Sequence, residues 1–155
     1  MNPTTIRALS LAVLVAVWAA ISEMARVNLS LWPVIVALGC SLAAGGGIPG
    51  LQRTLAGMTS GVVWVLLAHY VFRALGGRDV VEALVLGGMV LGMVLQARVP
   101  LLSYTAGALA GAGVALGMRA VSIQGGVRVA IALAIGAVLG FAAERIPQLV
   151  ASRRT

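Results

Sequence analysis

The chain of 155 residues has no lysine, one histidine, one cysteine and four carboxylates, Glu23, Asp79, Glu82 and Glu144. Each scarcity removes a class of function. A single cysteine, Cys40, excludes an internal disulfide and any Cys-based metal cluster. Flanked by Gly39 and Ser41 in an apolar run, it reads as a small buried residue. One histidine, His69, leaves no HExxH pair. The glycine triplet at 45–47 follows no strand and carries no lysine, so it fails as a phosphate loop. Neither an enzyme, a cofactor nor a metal is expected.

Charge is scarce as well. Only 10% of residues are charged, against ~25% in soluble domains. What fills the chain is 61% hydrophobic residue at a mean hydropathy of +1.06. A soluble domain this small still exposes much of its surface, so lipid is the solvent such a composition expects. The net charge of +7 comes from eleven arginines. They stand mostly one at a time between apolar runs and form no patch, which suits anchors at span ends and excludes nucleic acid as a partner.

A spanning helix needs ~20 mainly apolar residues. Six stretches qualify, at about 9–25, 27–44, 54–72, 80–97, 101–118 and 129–143. The fold class is therefore all-α, a polytopic membrane protein with about six transmembrane helices in one compact bundle, and residues 1–155 form a single membrane domain. The second span is short, because its apolar part begins at Leu31, and Pro33 sits near its start, where a helix tolerates proline. Arg7 before an apolar run resembles a signal peptide, but Met24 and Arg26 offer no small-residue cleavage site, so a retained first span is expected. Six spans put both termini on one side, and the Arg153-Arg154 tail assigns that side to the cytoplasm.

Small residues recur at four-residue spacing: Ala8, Ala12, Ala16 and Ala20; Gly57 and Gly61; Gly88 and Gly92; Ser103, Gly107, Gly111 and Ala115; Gly136 and Gly140. Such faces let helix backbones approach closely in lipid. Packing within one protomer is the first reading, and subunit contact in a homo-oligomer is the second.

All four carboxylates fall near span ends and none sits mid-span. A charge at the bilayer centre is costly and normally marks an ion path, so its absence argues against a carrier built round a buried carboxylate. Uncharged polar groups do occur within spans. The densest set surrounds the break Gly45-Gly46-Gly47-Ile48-Pro49-Gly50, most simply a connection between the second and third spans. The candidate solute-contact residues are Ser41, Gly46, Gly47, Ser60, Trp64, His69, Gln96, Ser103 and Tyr104. For the hydroxyls, bonding to their own helix or gluing helices together is the alternative. For His69 it is an interfacial position one turn before Arg73.

The run from Gly39-Cys40 to the glycine cluster, then Gly50-Leu51 and Ser60-Gly61-Val62-Val63-Trp64, resembles the YcdZ-like family of small bacterial inner-membrane proteins. Gln96-Ala97-Arg98, Leu101-Leu102-Ser103-Tyr104 and Gly107 to Gly111-Ala112 are similar to that family too. The resemblance implies a multi-pass protein of the bacterial inner membrane and brings no functional residue with it. The chain departs from the family at Thr105-Ala106, where a proline is expected. The resulting expectation is a channel or facilitator for a small neutral or weakly polar solute. The alternative is a non-transporting membrane subunit or assembly factor acting through helix–helix contacts.

Overall fold

The computed structural model describes residues 3–24, 31–76 and 79–152, with side chains over 8–22, 31–76 and 80–146. Arg26, Arg78 and the Arg153-Arg154 tail lie outside the described residues. Six α-helices make up the fold, and no strand occurs among the described residues: α1 (Pro3–Met24), α2 (Leu31–Ala43), α3 (Gly47–Ala74), α4 (Asp79–Leu95), α5 (Thr105–Gly117) and α6 (Ile123–Ser152). Two short 3-10 turns, Gln96–Arg98 and Pro100–Leu102, join α4 to α5.

Among the described residues, three segments are long and apolar enough to cross a membrane: Gly47–Ala74, Val80–Arg98 and Ile123–Ile146. The outer surface is correspondingly apolar, with Val80 74%, Leu84 72% and Ile123 65% exposed. Soluble monomers seldom expose so much apolar area, whereas lipid accommodates it. α5 is different. It has thirteen residues and reaches about 20 Å at ~1.5 Å per residue, short of the ~30 Å hydrocarbon core.

Helix ends explain where the structure departs from the apolar runs. α3 starts at Gly47, seven residues before the expected span, because Gly45, Gly46 and Gly47 all take positive φ (93°, 71° and 65°) and turn the chain straight into a helix. The glycine break is thus half turn and half helix. Residues 101–104 lie outside the fifth helix, which begins at Thr105 after the turn at Pro100. α6 begins at Ile123 because Ser122 caps it, its Oγ accepting from the Gly125 N–H at 3.1 Å. It then runs on to Ser152, past the expected end at 143.

The glycine stripes mostly join helices of the same chain. A Cβ on Gly57 would lie 2.9 Å from the Tyr104 carbonyl oxygen, and one on Gly61 would overlap the Ala108 carbonyl. On α6, a Cβ on Gly136 would overlap the Val34 carbonyl, and one on Gly140 would lie 3.1 Å from that of Leu38. α3 therefore packs on α5 and α6 on α2, backbone against backbone. A buried core of Ala37, Met58, Val62, Met93, Ala108 and Leu133 forms around them. The exceptions are Gly88, where an added Cβ would meet nothing within 4 Å, and the alanine stripe of α1, since Ala8, Ala12, Ala16 and Ala20 are all exposed.

These contacts come in matched pairs. One constant shift in numbering carries Gly57, Met58 and Gly61 onto Gly136, Ala137 and Gly140. A second carries their partners Tyr104, Gly111 and Ala108 onto Val34, Ser41 and Leu38. Where Gly111 meets the Met58 carbonyl, the matching Ser41 donates a hydrogen bond to the Ala137 carbonyl at 3.2 Å. The outer helices match as well, α4 lying on α3 and α1 on α6. α3 and α6 run antiparallel, since Gly126 abuts Leu66 while Glu144 reaches Gly47. The halves α1–α3 and α4–α6 thus repeat one arrangement in opposite directions, as three helices per repeat require.

Candidate functional site

The polar residues expected near a solute divide into groups. Ser60, Trp64 and Gln96 come together although Gln96 is more than thirty positions from either in sequence. The Trp64 Nε1 donates to Gln96 Oε1 at 2.9 Å, Gln96 Nε2 donates to Ser60 Oγ at 2.9 Å, and Ser60 Oγ donates to the Gly57 carbonyl at 2.7 Å. The Trp64 ring fits only because position 92 is glycine, where a Cβ would overlap it. This chain of bonds ties Gln96, just past the end of α4, to the middle of α3.

The remaining hydroxyls are also engaged. Ser41 is buried and bonded to α6, and Ser103 is exposed and donates to the Pro100 carbonyl at 2.8 Å. Tyr104 spans from the start of α5 to α2, where its hydroxyl donates to the Cys40 carbonyl at 3.0 Å. Gly46 and Gly47 lie against Glu144, whose Oε2 accepts from the Gly47 N–H at 3.1 Å. A carboxylate at this place favours the positive end of α3.

His69 lies apart from all of these, in a cavity of about 240 Å³ between α3, α4 and α5. Val65, Phe72, Val85 and Ala115 supply much of its apolar wall, and Glu82 and Arg119 join His69 as its charged or hydrogen-bonding members. Helix ends hold both charges. Glu82 follows the first turn of α4, where a carboxylate is favoured, and Arg119 follows the C-terminus of α5, where a cation is favoured.

Arg119 closes α5 in an unusual way. Its own N–H bonds the Leu116 carbonyl and the next one, Ala120, bonds the Ala115 carbonyl, both at 2.9 Å. That is the pattern of a helix end whose left-handed position normally holds glycine. Here arginine takes it, at φ 50°, the one positive φ among the described non-glycine residues. Strain of this sort gathers at functional places, and this instance lines a cavity.

Glu82 and Arg119 were not legible as site residues. Only the tertiary fold brings the ends of α4 and α5 beside His69. Among the described residues, no three His, Cys, Asp or Glu side chains converge as a metal ion would require.

A family model described as "Protein of unknown function (DUF1097)" matches residues 8–148, nearly the whole chain. The chain belongs to the DUF1097 family. No curated protein and no solved structure matches it. The DUF1097 match covers all of the cavity and both halves of the repeat.

Proposed function

We propose that this DUF1097 protein, of the narrower YcdZ-like kind, is a facilitator for a small neutral or weakly polar solute. It sits in the bacterial inner membrane with both termini in the cytoplasm, and it needs neither catalysis nor a cofactor. The observation that carries the reading is the cavity between α3, α4 and α5. Its apolar wall admits a small molecule, Glu82 offers acceptors, and Arg119 offers donors. That combination suits a compact amide, which has N–H groups for the carboxylate and a carbonyl for the guanidinium. Neither a lone ion nor a pure hydrocarbon uses both. Reconstituted liposomes supply the test. Acetamide or urea should cross faster than in empty liposomes, with polyols and ammonia run beside them, and no flux above background across that set would end the proposal.

A second reading is a non-transporting subunit or assembly factor. The uncovered alanine face of α1 favours it, because small residues at this spacing suit a helix from another chain. Purification in mild detergent separates the two readings. A stoichiometric unrelated partner supports the second, and a pure homo-oligomer or monomer supports the first.

A further inference from the structure

The repeat places a second cavity at the opposite end of the molecule. The shift that superposes the glycines of α3 on those of α6 also carries Trp64 onto Ala143 and Val65 onto Glu144. At that position lies a cavity of about 220 Å³, lined by Leu11, Leu42, Ala143 and Glu144. Its construction copies the first: a long helix, the C-terminal part of the short helix crossing it, and a peripheral helix. α6, α2 and α1 replace α3, α5 and α4.

Position along α3 shows how far apart the two cavities are. Glu144 sits at Gly47, where α3 starts, whereas the first cavity takes Val65 to Phe72 of the same helix. The eighteen residues from Gly47 to Val65 span about 27 Å at ~1.5 Å per residue, close to the ~30 Å of a hydrocarbon core. Between these levels the helices meet backbone to backbone at Gly61 and Gly136.

We infer that the Glu144 cavity is a second solute-binding mouth of the same path, open to the opposite face of the membrane, and that the two halves exchange roles as solute passes. The inference rests on the facilitator reading. Each mouth sets one carboxylate beside apolar side chains, Glu82 with His69 and Arg119 in the first and Glu144 with Leu11, Leu42 and Ala143 in the second, so both offer acceptors to a neutral solute with N–H donors. A further difference lies at Glu144. Glu144 is bonded to the Gly47 N–H, whereas its counterpart Val65 can make no such bond. The second mouth is latched by its own carboxylate, and the first has no matching latch. Binding sites at the junction of inverted halves, exposed in turn to each side, are a general use of this symmetry.

Cys40 is the one cysteine, so replacing it with alanine gives a thiol-free full-length chain. Into it go Leu116→Cys, on the wall of the first cavity, or Leu42→Cys, on that of the second. In sealed vesicles of defined orientation, a charged, membrane-impermeant thiol reagent should modify Leu116→Cys from one face only and Leu42→Cys from the other face only. Val90→Cys, on the exposed side of α4 and in neither cavity, should not react. Adding Glu144→Ala should speed modification at position 42 and slow it at 116. Val121→Cys and Leu11→Cys repeat the readout should either first variant fail to insert. Modification of both mouths from the same face, or of neither from any face, overturns the proposal. Unchanged rates with Glu144→Ala overturn the exchange of roles. Opposite-face modification without amide flux supports two mouths and rejects the solute reading instead.

Discussion

The Glu144 carboxylate accepts a hydrogen bond from the Gly47 backbone N–H at 3.1 Å, across 97 positions of sequence. It ties the C-terminal half of α6 to the first residue of α3 and closes the antiparallel pair at one end. Position 46 has to be glycine for this. Its φ is 71°, and a Cβ would lie 2.6 Å from Glu144 Oε2. Gly46→Ala and Glu144→Ala should therefore each destabilise the fold, by about 1–3 kcal/mol where the charge-assisted bond is lost. Glu144→Gln, which keeps an acceptor, should lose less. Thermal unfolding in detergent measures the order, and a Glu144→Ala variant as stable as the parent would mean the bond contributes nothing.

The backbone contacts predict a contrast between glycines of similar sequence context. Gly61→Ala and Gly136→Ala force carbonyl oxygens away on both halves of the repeat, and each should cost about 1–3 kcal/mol as overpacking. Gly88→Ala should be neutral or slightly stabilising, because nothing lies within 4 Å of the added carbon. Equal effects at 61 and 88 in the same unfolding assay would contradict the packing described.

The Trp64–Gln96–Ser60 chain reads as structural, so its loss should appear in stability before transport. Gln96→Leu strands the Trp64 N–H, and interhelical bonds of this kind in membranes are worth ~0.6 kcal/mol, up to ~1.7. A double-mutant cycle between Gln96→Ala and Ser60→Ala should return a coupling of that order. Flux per folded protein should change little, and its abolition would move these residues into the solute path.

At Arg119 stability and transport should part. Arg119→Gly relieves the left-handed strain, a gain of about 1 kcal/mol, and removes the donors facing the cavity. The variant should melt higher and conduct amide more slowly. A rise in both would leave Arg119 without a role toward solute.

A block in the cavity wall is the complementary test. Ala115 is fully buried there, and Leu116 beside it is 47% exposed. Leu116→Trp can fill the mouth from the outside with little disturbance of the core. Its expected signature is reduced flux at unchanged melting temperature, read in the same liposomes.

Much of the architecture was legible because it follows from composition and local rules. In lipid every backbone group must be satisfied within the protein, so long apolar runs between arginines can only be helices or a closed barrel. The break between α4 and α5 at Pro100 follows in the same way from where the proline falls. The glycine spacings of α3 and α6 announced close packing but not its partners. Helix pairing in a membrane lacks the hydrophobic drive that sorts a soluble core, and is chosen by the fit of surfaces that lie far apart in sequence.

The sequence by itself therefore determined the helical membrane class, the count of about six helices and the tight glycine faces, all consequences of local chemistry. The tertiary structure alone decided that Ser60, Trp64 and Gln96 satisfy one another, that His69 shares a cavity with Glu82 and Arg119, and that the two halves repeat in inverted order. Each of these depends on which backbone touches which. Residues such as Tyr104 and Gly57 settle that only when both are in place.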